Sequence, residues 1–141
     1  MSETHTQDFA ASAVGIEHEH EAQMKLLDQI ERAVLADAGT KTVGPLLDDF
    51  VEHANAHFLS EQLLMRNHAY AAYEQHVREH DMLLAQARQF MRDVSLGKIT
   101  DAYWFVASLR NWLTVHMKTT DAAFETYLEM LDQKDSQGEL P

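Results

Sequence analysis

Residues 43–68 read VGPLLDDFVEHANAHFLSEQLLMRNH, and one face steps through Val43, Leu47, Phe50, Ala54, His57, Glu61, Leu64 and His68. Those intervals alternate between four and three, the seam spacing of a helix packed in a bundle, whereas a strand would alternate every second residue. Pro45 fits the first turn of a helix that opens near Val43 and runs to about Asn67. The same spacing recurs on both sides of this stretch. Ile16, His20, Gln23, Leu27, Ile30 and Val34 carry it from about Ile16 to Ala36, where Ala38-Gly39 closes the segment and Gly39 can take a left-handed cap. Tyr73, His76, His80, Leu83, Ala87, Phe90 and Val94 carry it from about Tyr70 to Val94, stopping at Ser95-Leu96-Gly97. The fourth segment opens near Thr100 or Asp101, both good N-caps, and continues to about Leu131. Its stripe is Phe105, Leu109, Trp112 and His116, with a neighbouring stripe of Leu113, Met117, Asp121, Phe124 and Leu128. Four long helices with short connections predict an all-α, up-down-up-down antiparallel four-helix bundle. The expected organisation is an N-terminal arm over 1–13, the bundle over 14–131 and a polar tail or linker over 132–141.

Composition agrees with one domain of this kind. The chain has 141 residues, 45% of them apolar, with only 5 Gly and 2 Pro. Its 23 acidic and 11 basic residues leave a formal charge of −12, which repels phosphate backbones and anionic lipid and excludes nucleic-acid and membrane-surface binding as expectations. The absence of cysteine excludes disulfides, thiol catalysis and thiolate-bound zinc. With no apolar run of membrane-spanning length and no signal-peptide pattern, the expected location is the cytoplasm.

Each inward stripe contains polar residues of ligand type. His57 and Glu61, like His76 and His80, are spaced i,i+4 and so project from one face about a turn apart. The antiparallel order brings these pairs and His116 to similar heights. His116 and Asp121 are five apart, about 140° around a regular helix, so spacing alone does not group them. Buried imidazoles and carboxylates are costly unless paired or metal-bound. Nitrogen and carboxylate donors without thiolate suit iron, manganese or zinc, and this number of ligands exceeds one tetrahedral site, so a dinuclear centre is the economical reading. His5 and His18 read as solvated, His53 as second-sphere or surface, and His68 as structural.

The set His57-Phe58-x-x-Glu61-x-x-Leu64-Met65, His76-x-x-x-His80 and Trp112-Leu113-x-x-His116-x-x-x-x-Asp121 resembles the bacterial hemerythrins over nearly the whole chain, from Val14 to Phe124. The resemblance implies a four-helix bundle holding two iron ions, oxo- or hydroxo-bridged, that bind dioxygen. Residue by residue, it implies that His76, His80 and His116 ligate one iron, His57 the other, and that Glu61 and Asp121 bridge them. It also implies that Trp112, Leu113 and Met117 wall the dioxygen pocket. The first helix departs from the family pattern, in which Asp-x-x-His precedes a pair of leucines. Here the same register is His20-x-x-Gln23 followed by Leu26 and Leu27, so Gln23 stands where the family has a further histidine ligand. The register puts Gln23 level with the other ligands and favours an iron with an open position beside it; His20, one turn earlier, is the alternative ligand.

These features point to a non-heme di-iron protein that binds dioxygen or a related small ligand as an oxygen or redox sensor or binding module. The alternative is a di-iron enzyme with peroxidase-like, nitric-oxide-reducing or peroxide-reducing activity, although no catalytic acid–base pair is evident beyond the ligands. The expected partners are dioxygen, peroxide, nitric oxide or azide, and a fused or separate signalling domain. On this reading His80→Ala loses metal and His5→Ala retains it, and chelation lowers the melting temperature by leaving core polar groups unpaired; metal analysis and thermal denaturation check both.

Overall fold

The computed structural model describes residues 13–98 and 100–138. Helix α1 covers Ala13–Leu35, α2 Thr40–Asn67, α3 Tyr73–Ser95, α4 Ala102–His116 and α5 Ala122–Gly138, with a π-helical turn over Met117–Asp121 joining the last two into one rod. Four rods therefore form the bundle, each packing on its neighbour in sequence, with the fourth closing on α1. There is no strand among the described residues. No helix among them is long and apolar enough to cross a membrane. Residues 1–12 of the expected arm and 139–141 of the expected tail lie outside the described residues, and α5 continues helical to Gly138.

The inward face divides into two apolar clusters of unequal size. The larger is built from Leu27, Ile30, Leu47, Phe50, Phe58, Leu83, Phe90, Val106, Leu109 and Leu113 with their neighbours. The smaller holds Ile16, Met65, Phe124 and Leu128, ringed by Tyr70, Tyr73 and Tyr127. Tyr127 fixes this end by donating its hydroxyl to the carbonyl of His68 at 3.0 Å. Between the clusters lies a layer of buried polar side chains. On the outside, Arg110 bridges Asp28 and Glu31 at 2.7 and 2.6 Å and clamps the fourth rod to α1.

The helix ends differ from expectation in two places. Gly39 is not the left-handed residue after α1; Asp37 is, at φ 56°, while Gly39 precedes α2 at φ −15°. Aspartate tolerates that region better than most side chains because its short polar group bonds locally. Helix α2 also starts earlier than expected, so Pro45 sits inside it beyond the first turn. The ends of α1, α2 and α3 share one hydrogen-bond pattern, with a left-handed residue and a bond reaching back over it. Those bonds are Ala38 N–H to Ala33 O at 2.9 Å, Tyr70 N–H to Met65 O at 3.0 Å and Lys98 N–H to Asp93 O at 2.7 Å.

Only the third of these ends uses glycine, Gly97 at φ 77°; the second strains Ala69 to φ 50°. A Cβ at Gly97 meets nothing within 4 Å, so backbone conformation alone decides substitutions there. Gly97→Ala is expected to cost about 1 kcal/mol and Ala69→Gly to gain up to about 1 kcal/mol. Urea unfolding of the metal-loaded proteins reads both shifts.

Candidate metal centre

The polar layer consists of Gln23, His57, Glu61, His76, His80, His116 and Asp121, all buried, with His20 at its edge. Helix α2 presents His57 and Glu61 one turn apart, and α3 presents His76 and His80 in the same way. The fourth rod is different. Its buried positions run Ala102, Val106, Leu109, Leu113 and His116, then Asp121, Phe124 and Leu128. The single interval of five falls on the π turn, where the Ala122 N–H reaches back to the Met117 carbonyl. A π turn absorbs an additional residue, so Asp121 returns over His116 instead of pointing about 140° away. The two neighbouring stripes read from the sequence are therefore one face with a phase shift. Phe105 and Trp112, expected on that face, are only half-buried, because the face upstream of the turn runs through Val106 and Leu113 instead.

The side chains converge closely. His76 Nε2 lies 2.6 Å from Glu61 Oε1 and 2.9 Å from Asp121 Oδ1. His80 Nε2 is 3.2 Å from Glu61 Oε1, and His116 Nε2 is 3.0 Å from Asp121 Oδ1. On the other side His20 Nε2 is 2.9 Å from Asp121 Oδ2 and His57 Nε2 is 3.6 Å from Glu61 Oε2. Yet Nε2 of His20, His57, His80 and His116 and both Glu61 oxygens lack a properly directed hydrogen bond. Nitrogen and oxygen atoms this close but aimed past one another could serve as co-ligands of a shared centre. Their donor atoms fall into two groups, each within 4.8 Å: Glu61, His76, His80, His116 and Asp121, and His20, His57, Glu61 and Asp121. Glu61 and Asp121 belong to both. A pair of cations bridged by two carboxylates fits this donor set.

Acceptors behind the rings fix which nitrogen faces inward. His80 Nδ1 donates to Gln62 Oε1 at 2.9 Å, His116 Nδ1 to Glu79 Oε1 at 2.9 Å, and His57 Nδ1 to Glu19 Oε2. Thr120 donates its hydroxyl to the same Glu79 oxygen at 2.8 Å. A proton held at Nδ1 leaves the Nε2 lone pair free for a metal. The sequence reading missed Glu19, Gln62 and Glu79. Their signal was adjacency: each sits beside a ligand or candidate ligand in sequence, turned toward the next helix.

In the absence of metal, protons take the place of cations. Burial opposes the charged form of His76, but the hydrogen bond to Asp121 and the close carboxylates of Asp121 and Glu61 outweigh it and raise its pKa to about 9. Burial likewise works to raise the Asp121 pKa, and His116, His20 and His76 overcome it, holding the group below the usual carboxylate range. Glu61 is lowered in the same way by His76 and His80. Metal uptake must therefore displace protons.

The remaining expected residues fall as follows. His20, not Gln23, joins the second group, with its ring 5.2 Å from that of His57. Gln23 is 0% exposed, belongs to neither group, and leaves both amide atoms without partners. Leu113 is buried in the larger apolar cluster and Met117 packs against it. Trp112 stacks on His116 at 4.8 Å and 16° and lines an outward groove of about 530 Å³ with Trp104, Phe105 and Glu79. His18 and His68 are exposed, His53 is half-buried outside both groups, and His5 lies outside the described residues.

Residues 14–128 match the family described as the hemerythrin HHE cation-binding domain. Hemerythrin subunit 2 of Golfingia vulgaris is 38% identical over 69 residues, 49% of this chain and 50% of that protein. The chain thus spans about half the length of this relative. A bacteriohemerythrin of Ralstonia nicotianae is 29% identical over 67% of the chain and 69% of its own length. A bacteriohemerythrin of Methylococcus capsulatus is 20% identical over 83% of the chain and 88% of its own length. No solved structure matches the chain.

The ring acceptors give the site its sharpest test. Glu79→Ala frees the His116 ring and is expected to weaken metal binding by about 10- to 100-fold, as is Gln62→Ala through His80. Glu31→Ala, which breaks only the outer bridge to Arg110, leaves affinity unchanged. Competition with a chromophoric chelator measures all three.

Proposed function

The chain belongs to the hemerythrin family, whose domains hold a di-iron centre, and on that premise we propose a binding module that takes up dioxygen or a related small ligand and serves as an oxygen or redox sensor. Glu61, His76, His80, His116 and Asp121 would hold one iron; His20 and His57, sharing Glu61 and Asp121, would hold the other. Iron supplies the reversible electron exchange that dioxygen binding requires. The observation that carries this reading is the inequality of the two groups, five donors against four. The four-donor side keeps room for a ligand from outside.

The rest of the chain favours binding over turnover. Apolar clusters close the layer at both ends and exclude water. Glu19, Gln62 and Glu79 hold protons on the outer ring nitrogens, where they orient ligands and do not face an incoming molecule. Among the described residues, the fully buried polar set contains no titratable group besides the proposed ligands. General acid–base catalysis needs such a group within reach of the reacting atoms.

The purified protein is expected to contain two irons per chain and to oxidise in air without sustained turnover. His20→Ala is expected to lose the second iron and His53→Ala to keep it. Iron analysis, the aerobic optical spectrum and peroxide consumption decide the matter. Continuous peroxide consumption would overturn the sensor reading in favour of an enzyme, and an oxygenated spectrum that reverses on degassing would favour carriage.

A further inference from the structure

Gln23 is a buried side chain whose hydrogen-bonding capacity nothing uses. It is 0% exposed, and neither its Nε2 nor its Oε1 has a partner. Burying an amide unpaired is costly, so such a group calls for something that meets it. Its place in the layer says what that is. The inward face of α1 runs from Ile16 in the smaller apolar cluster, through His20 in the four-donor group, to Gln23 and then Leu27 in the larger cluster. At 1.5 Å per residue, Gln23 stands roughly 4.5 Å along the axis from His20, on the same face. Helix α1 contributes a donor to the four-donor group alone, so Gln23 shares its helix face with a residue of the less fully ligated position.

The geometry points to Gln23 as the hydrogen-bond donor that selects small anions, and neutral ligands that gain negative charge on binding, at that position. The inference deepens the proposed function and rests on His20, not Gln23, holding the second iron. The chemistry follows from the amide. Its Nε2 offers two N–H donors in a dry site, where a bond to a charged acceptor counts for about twice a neutral one. One turn further along the same face stands Leu27, in the larger apolar cluster. A thioether in place of the amide would preserve shape and volume and remove the donor. A carboxylate would replace the donor with a like charge.

The test is azide titration of the di-iron protein, comparing the parent with Gln23→Met and Gln23→Glu, with iron counted in each. Both variants are expected to keep two irons. Gln23→Met is expected to weaken azide at least about tenfold, the size of a hydrogen bond to a charged group, and to shift the azide infrared stretch. Gln23→Glu is expected to abolish azide binding. Unchanged azide affinity and an unshifted stretch in Gln23→Met, with iron intact, would overturn this inference and leave the His20 assignment standing. Loss of the second iron in Gln23→Met, with retention in His20→Ala, would overturn both, because Gln23 would then be the ligand.

Discussion

Two carboxylates, Glu61 and Asp121, are buried side by side among imidazoles in the centre of a bundle, and the rest of the architecture answers to them. Neither has solvent to share its charge, being 2% and 1% exposed. Isolated, each would be driven to its neutral form by desolvation. Here the surrounding rings hold both ionised, and the pair remains a ready counter-charge for cations. The rings are held in turn by Glu19, Gln62 and Glu79, which sit at the layer's edge and keep some contact with water. For His57, His80 and His116, polarity therefore passes outward from a charged centre through imidazole to half-solvated acceptors, whereas the buried Nδ1 of His76 has no such partner.

That layer also divides the core. A large apolar cluster on one side and a small one on the other do the ordinary work of holding helices together. Among the described residues, the two clusters are formed by apolar side chains and the buried polar ones are gathered apart from them. Each rod is long enough to serve both clusters and the layer between them, the fourth with a π turn at the layer itself. The unequal split also places the four-donor group between a small apolar end and Gln23, which borders the large one.

Most of this was legible because helical periodicity is explicit in the residues. His57 with Glu61 and His76 with His80 announce themselves by interval, and Val43 to Ala54 or Leu83 to Val94 mark the faces that bury them. Three things were not legible, each for a physical reason. The phase shift between His116 and Asp121 cannot be read from a rule that assumes one period for the whole helix. The left-handed residue after α1 is Asp37 because side-chain chemistry, not only the absence of a side chain, can stabilise that conformation. The placement of His20, and not Gln23, within reach of Asp121 depends on how the rods slide along one another, and an error of one turn in relative height exchanges the two.

The π turn has a consequence beyond the residue it turns inward. Phe124 and Leu128 lie downstream of it, and they reach Ile16 and Met65 only because the rod has already been rotated. One surplus residue thus serves two clients, one of the two carboxylates that both donor groups share and the packing of an entire end of the bundle. Within Met117–Asp121, Lys118 and Thr119 are exposed and their identity is lightly constrained. Their number is not. The segment acts as a spacer measured in residues, and deleting Lys118 or Thr119 would move the register of everything that follows while leaving every side chain of both donor groups in the sequence.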